Sequence, residues 1–420
     1  MKWEIAKLGD ISKNIQTGPF GSQLHQSDYS ECGIPVVMPK DLVGGKISEE
    51  SIARVDKTHV ERLCRHKIEV GDILYSRRGD VGRCAHVTKK EEGWLCGTGC
   101  LRVTIDSEKA DSRFVFFQLQ HPDTIGWVEK HAVGATMLNL NTTILSSVPI
   151  RLPALEIQKR IADILSAYDD LIENNQKQIK LLEEAARRLY KEWFVDLHFP
   201  GHENTKIVDG VPEGWSRNPI QDFISYEIGG GWGEELQNEK SMIPAYVIRG
   251  TDIKGLINGQ LQSVPYRYHT AGSLETRKLL DGDIVFEVSG GSKTEGVART
   301  VRIIDLMLKT WGNSVICASF CKRIKPIPNF SQYLYDSFRW MRLNGKTQEY
   351  DKKSASSIVN YRWKDFLAQE KILKPDEETI SQYNNIAGTI YTKIIVCSCQ
   401  IEQAKMKRDL LLPKLMSGEL

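Results

Sequence analysis

The chain repeats itself, and a repeat of this length commits it to two copies of one fold. Pro35-Val36-Val37-Met38-Pro39-Lys40-Asp41-Leu42 has a counterpart in Tyr246-Val247-Ile248-Arg249-Gly250-Thr251-Asp252-Ile253, so Asp41 answers to Asp252 at an offset of 211. Gly71-Asp72-Ile73-Leu74 answers to Gly282-Asp283-Ile284-Val285 at the same offset. A Trp stands near each start, Trp3 in WEIAKLGDI and Trp215 in VPEGWSRNPIQDF. Near each end, Pro153 and Pro375 introduce a long polar-apolar stretch, here 222 residues apart. One Gly-Asp-Ile match would mean little, but several in one order at nearly constant offset mark a duplicated unit.

Each half has the same order, a globular α/β portion followed by a long helix. IPVVMPKDL, GDILYSRR, CLRVTI and SSVPIRL read as strands in the first half, and YVIRGTDI, GDIVFEV, ARTVRII and VICASFCKRI in the second. RFVFFQLQ and QYLYDSFRWM read as helices, with aromatics three or four apart facing a core. From Glu156 to Trp193 the helical pattern is sustained. Ile157, Ile161, Ile164, Tyr168, Leu171, Asn175, Gln178, Leu182, Ala185 and Leu189 form a heptad seam with a polar middle. Adding 222 gives a poorer seam at Thr379, Tyr383, Ile386, Ile390, Lys393, Cys397, Gln400, Ala404, Lys407 and Leu411, with Ile394 and Ile401 suggesting drift. A helix that buries one stripe needs a partner, and the other half supplies one; the alternative is that each helix packs on its own globular portion. The organisation expected is therefore 1–152, a first α/β domain; 153–200, a helical spacer; 201–374, a second α/β domain; and 375–420, a second helical spacer.

At 420 residues, 41% hydrophobic and 26% charged, the chain has the composition of a folded soluble protein. No apolar run approaches the roughly 20 residues that cross a bilayer, and Met1-Lys2-Trp3-Glu4 opens no export signal, so a cytoplasmic location is expected. The net charge of +2 neither demands nor forbids nucleic acid. Nine cysteines without a regular framework suit a reducing compartment. Cys317 and Cys321 fall in what reads as one strand, and they are read as buried free thiols rather than a zinc site.

TGPFGSQL (Thr17–Leu24), GDILYSRRGDVGR (Gly71–Arg83), GATMLNLN (Gly134–Asn141), the segment VPIRLPALEIQKRIADIL and the chain end LLLPKLMSGEL together resemble the specificity subunits of type I restriction-modification systems, over essentially the full chain. The resemblance implies two target-recognition domains of mixed α/β (α+β) fold, separated by two long helices that pair as an antiparallel coiled coil with pseudo-twofold symmetry. The second half departs from the pattern: SRRGDVGR becomes the longer EVSGGSKTEGVAR, leaving Arg83 and Arg299 as counterparts; GPFGS becomes GGGWGEE, and GATMLNLN becomes SASSIVNYR.

A sequence reader needs cations and amides for phosphates, and forked donors or acceptors for base edges. Arg77, Arg78 and Arg83 lie in a glycine-containing turn after a strand, where each could fork onto guanine, hold a phosphate or simply be solvated. Ser22, Gln23 and Lys40 lie on turns beside strands, and Thr136 and Asn139 are further DNA candidates; Asn139 and Asn141 could equally cap turns. In the second half the candidates are Trp232, Arg249, Thr251, Ser292, Lys293, Arg299, Asn360 and Arg362, with Lys352-Lys353 as a phosphate patch. Two different readers on a helical spacer predict an asymmetric target of two specified blocks around a gap.

No catalytic motif stands out. The chain has no Asn-Pro-Pro-Tyr or Asp-Pro-Pro-Tyr segment, no glycine loop placed for S-adenosylmethionine and no Walker A pattern. Asp72 and Asp283 could tempt as nuclease carboxylates, but Gly-Asp-Ile reads better as a turn into a strand. The expectation is a subunit that is no enzyme alone and holds no cofactor or metal. The resemblance implies double-stranded DNA as ligand, two modification subunits carrying S-adenosylmethionine, and restriction subunits using ATP and Mg. The rival reading is a helical adaptor that organises proteins without reading DNA.

Overall fold

The structure is a computed structural model that describes residues 3–20, 23–134, 138–258, 260–290, 296–353 and 358–418. The chain divides into two compact units, Met1–Asp170 with Lys405–Leu420, and Leu171–Ala404.

The first unit is centred on an antiparallel sheet in the order Ser12–Thr17, Cys100–Ile105, Ile73–Ser76, Cys84–His86. Ile73–Ser76 is buried throughout, as an apolar strand covered on both faces must be. One face packs Tyr75, Leu101 and Val103 against Phe114 and Phe117 of the helix Ser112–Leu119, which Asp111 caps by accepting from the Arg113 and Phe114 amides. The other face packs Leu74, Ala85 and Cys100 against Val37 and Cys96. Those two belong to a second sheet, Ala53–Val55, Ile34–Val37, Leu95–Cys96, whose last pair is parallel.

The second unit repeats this plan strand for strand. Its central sheet runs Ile224–Gly229, Cys321–Pro326, Ile284–Glu287, Thr300–Arg302, all antiparallel. Its companion runs Tyr266–His269, Ile243–Ile248, Ser314–Cys317, again with a parallel last pair. A further small sheet, Ser289–Gly290, Val359–Tyr361, Asp351–Lys353, occupies the region where the two halves diverge in sequence.

The repeated Gly-Asp-Ile is a turn into a strand in both units. Gly71 and Gly282 take φ of 92° and 85°, a conformation that favours glycine. Asp72 then accepts from the Glu69 amide (2.9 Å) and the Thr104 hydroxyl (2.5 Å), and Asp283 from the Leu280 amide (2.7 Å) and Arg323 Nε (2.8 Å). Burial pushes both carboxyls above their ordinary range.

VICASFCKRI is not one strand but two, Ser314–Cys317 and Cys321–Pro326, in different sheets. The chain turns at Ala318–Phe320 because the Ala318 amide continues onto Ile248 O (2.8 Å) and the Cys321 amide closes onto Ala318 O (2.8 Å). Cys96, Cys100, Cys317 and Cys321 are buried free thiols, and burial pushes Cys96 and Cys317 up to about 12.

The long helices run Leu155–Phe194 and Glu377–Ser417, and the division between units falls within both. Their heptad spacing is realised with one of its two positions shifted by a residue. Ile157, Ile164 and Leu171 are exposed, whereas Gln158, Leu165 and Ile172 are buried. The same shift recurs in the terminal helix, where Ile386, Lys393 and Gln400 are exposed and Ala387, Ile394 and Ile401 are buried. At 164/165, 171/172 and 386/387 the sequence offers two adjacent apolar residues, so spacing alone does not choose, whereas burial of Ile394 and Ile401 follows the drift those two residues mark. In the second unit the two helices are antiparallel: Cys397 Sγ donates to Gln178 Oε1 (3.7 Å), while Tyr383 meets Trp193 and Phe194 farther along (5.8 and 4.8 Å between ring centres). Both also pack on the globular part of that unit, Tyr190 bonding Ser337 and Tyr383 bonding Asp336. In the first unit Arg408 pairs with Asp169 at 2.6 Å.

Candidate nucleic-acid interface

In an antiparallel sheet, alternate strands end at the same edge, so their loops must meet there. In the first unit the loop after Ser12–Thr17, the loop after Ile73–Ser76 and the turn before Cys100–Ile105 converge in this way. The Gly18 amide donates to Cys100 O (2.9 Å), the Arg77 amide to Gly99 O (2.8 Å) and the Thr98 hydroxyl to Pro19 O (2.7 Å). A fourth segment closes the cluster: the Leu140 amide donates to Arg77 O (2.8 Å), the Gly79 amide to Leu138 O (3.1 Å), and Arg78 forms a bridge with Asn139.

The second unit assembles the same cluster with equivalent bonds. Gly230 donates to Cys321 O (3.0 Å), Val288 to Phe320 O (2.9 Å) and Tyr361 to Val288 O (2.9 Å), while Ser289 pairs with Asn360. Asn139 and Asn360 therefore occupy one position of the repeat, and Arg78 and Ser289 another. Glycine is required at the first contact in both: a Cβ on Gly18 would lie 2.0 Å from Gly97 O, and one on Gly230 would lie 2.2 Å from Ala318 O.

In the first cluster Arg78 is exposed, and Arg77 is half-buried with its guanidinium 6.0 Å from the centre of the Phe20 ring. Asn139 Oδ1 is buried without a hydrogen-bond partner among the described residues. Asn141 instead caps the next helix, accepting from the Ile144 amide (2.8 Å). Gln23 braces its own loop through the Phe20 amide (3.4 Å), and Lys40, on an exposed turn, bonds Ser51 O (2.9 Å). Arg83 is exposed and pairs with Asp80 at 2.7 Å.

Arg83 and Arg299 are true counterparts, for the Ser76 amide donates to Arg83 O and the Glu287 amide to Arg299 O. Their side chains differ. Arg299 lays its fork on Glu287 (2.6 and 2.8 Å), with side chains only 17% and 2% exposed. That geometry holds the loop together instead of projecting a donor, because the first half has the buried Ser76 where the second has Glu287. Arg249 likewise forks onto Asp252 (2.6 and 2.9 Å) at the foot of its turn, leaving Thr251 exposed beside it. Gly250 packs against Glu287 and so brings this turn to Arg299. Asn360 accepts from the Ser289 hydroxyl (2.8 Å), with the exposed Lys352 opposite it. Arg362 stays exposed over Tyr350 (5.4 Å) and donates to Glu349 O (2.6 Å). Trp232 is exposed with Arg267 against its ring. Ser22, Thr136, Ser292 and Lys293 lie outside the described residues.

Two exposed aromatics of these clusters were not singled out from the sequence. Phe20 sits inside a motif from which only Ser22 and Gln23 were chosen. Phe320 was hidden by reading its turn as strand; aligning it with Gly99 of the first half would have revealed it.

Residues 1–184 match the family model described as type I restriction modification DNA specificity domain. The MjaIX type I restriction enzyme specificity subunit of Methanocaldococcus jannaschii is 26% identical over an alignment spanning 100% of this chain and 93% of that one. The HindI specificity subunit of Haemophilus influenzae is 27% identical over 50% of this chain and 44% of its own. Among solved structures, the type I restriction-modification S subunit from M. genitalium shares the fold with a TM-score of 0.68 at 15% identity, covering 98% of this chain and 96% of that one. Residues 1–184 thus match the type I restriction modification DNA specificity domain, and over its full length the chain is similar to type I restriction enzyme specificity subunits.

Proposed function

We propose that this chain reads an asymmetric, bipartite double-stranded DNA target, one block through each unit, as the specificity subunit of a type I restriction-modification complex. The observation that carries the proposal is the same four-segment loop cluster built twice with different side chains. Rigid backbone bonds hold each cluster, while variable residues project from it, which is what sequence reading demands.

In the first unit Arg78 is the candidate to fork onto a guanine edge, Asn139 is left with its amide group for a base because its Oδ1 is buried, and Arg77 and Arg83 serve phosphates or bases. In the second, Asn360 and Thr251 are the base-edge candidates, and Lys352 and Arg362 supply the cations. Arg299 and Arg249 support these loops through Glu287 and Asp252. The chain acts in recognition rather than catalysis. Two modification subunits carrying S-adenosylmethionine dock on the duplicated frame and methylate adenines, and restriction subunits bring ATP and Mg. The adaptor reading is weaker, since an adaptor needs no loop cluster built twice with different polar side chains.

The test is to co-express the chain with its modification subunit and map methylated adenines across the host genome by long-read sequencing. One asymmetric two-block motif is expected. A well-formed complex that methylates at no motif would leave the adaptor reading in its place, and a continuous or palindromic motif would end the two-reader account.

A further inference from the structure

Two aromatic rings stand open in the loop clusters, and the repeat aligns them. Gly18 and Gly230 are matched by their bonds to Cys100 O and Cys321 O, and two residues beyond each lie Phe20 and Trp232. Phe20 is 55% exposed and Trp232 40%, although either ring has apolar area enough to be drawn under its own loop. Each has a guanidinium against it, Arg77 at 6.0 Å from the Phe20 ring centre and Arg267 at 4.9 Å from that of Trp232. The two arginines come from unrelated places in the repeat, one from the loop after Ile73–Ser76 and one from the strand Tyr266–His269. An exposed ring backed by arginine has therefore been reached by two different routes, which inheritance from a duplicated ancestor does not explain.

The pairs differ in charge. Arg267 is neutralised by Glu235 at 2.9 Å, whereas Arg77 has no carboxylate partner among the described residues. In both, Nε is buried and unpaired among those residues, and Arg267 reaches Glu235 through its terminal Nη2 group instead.

We propose that Phe20 and Trp232 are the apolar DNA contacts of their units. Each ring, stiffened from behind by arginine, packs its open side on a sugar–base edge of the duplex, and only the first unit adds a phosphate-seeking cation at the same spot. Apolar contact with a sugar carries no base-specific hydrogen bond, so these rings anchor each block while Asn and Arg side chains discriminate. The inference rests on the DNA-reading proposal above.

The test uses the full chain in complex with its modification subunit and 50-base-pair duplexes carrying the mapped motif or a scrambled one. Phe20→Ala and Trp232→Ala should each weaken both duplexes about fivefold or more through lost apolar burial, while Phe20→Tyr and Trp232→Phe retain most binding and the motif is unchanged. With 5-iodouracil in the duplex, photocrosslinks should map to Phe20 and Trp232, a readout that a merely loop-filling ring would not give. Arg77→Gln should lower the slope of log affinity against log salt by about one, and Arg267→Gln should leave it unchanged. If the wild-type complex holds the duplex but both alanine variants bind as well and the crosslinks fall elsewhere, this inference fails alone. If the wild-type complex does not prefer the motif duplex, the DNA-reading proposal fails and takes this one with it.

Discussion

Single residues decide which arginines stand exposed and which brace their own loop. Arg83 and Arg299 hold one backbone position in the repeat, but Ser76 stands beside the first and Glu287 beside the second. Removing Arg299 would strand a buried carboxylate, so Arg299→Ala should cost about 3 kcal/mol of stability, seen as a lower thermal midpoint. Arg83→Ala breaks an exposed pair with Asp80 and should cost under about 1 kcal/mol; equal losses would sink the distinction. Histidines give a pH handle in the first unit. His66 and His86 are both pulled down to about 4, chiefly because burial opposes the charged ring, with Arg65 adding to it at His66 and Arg113 at His86. An unfolded histidine titrates near ~6.5, so their stability contribution is full above that pH and is lost as pH falls toward 4. The urea midpoint should therefore be lower at pH 5 than at pH 7.5. His86→Gln, which can still bond Ser112, should flatten that slope; an unchanged slope would rule His86 out.

At the scale of elements, the long helices show how a correct period can carry a wrong register. Ile164 and Leu165 are neighbours of similar apolarity, yet the first is 45% exposed and the second fully buried. Leu165→Ala should cost about 3 kcal/mol through the cavity it leaves, and Ile164→Ala no more than about 0.5 kcal/mol. Thermal unfolding of the pair checks this directly, and a larger loss from Ile164→Ala would restore the original seam. The strand misreading at VICASFCKRI has a related cause. Its turn, Ala318-Ser319-Phe320, lacks the Gly and Pro that usually mark one, whereas the first half writes the same turn as Gly97-Thr98-Gly99.

For the whole molecule, duplication with divergence predicts that the two blocks of a target can be altered one at a time. Asn139 and Asn360 share a position in the repeat but lie in separate units. Asn139→Ala should relax one block and leave the other intact; Asn360→Ala should do the converse. Methylation maps of both variants decide it: loss of both blocks from either change would argue against independent readers.

The sequence by itself determined the duplication, the main core strands of each half, the Gly-Asp turns and the period of the long helices. These depend on local propensity and on spacing, which a linear string carries in full. Only the tertiary structure decided which neighbour in each helix is buried, that one apparent strand is two, and that Arg299 is held by Glu287 while Arg78 stands free of any carboxylate among the described residues. It also brought Gly18, Arg77, Gly99 and Leu140 into one cluster. Those outcomes turn on which residues, far apart in the chain, arrive at one sheet edge or helix seam, and burial and charge pairing are settled only after they meet.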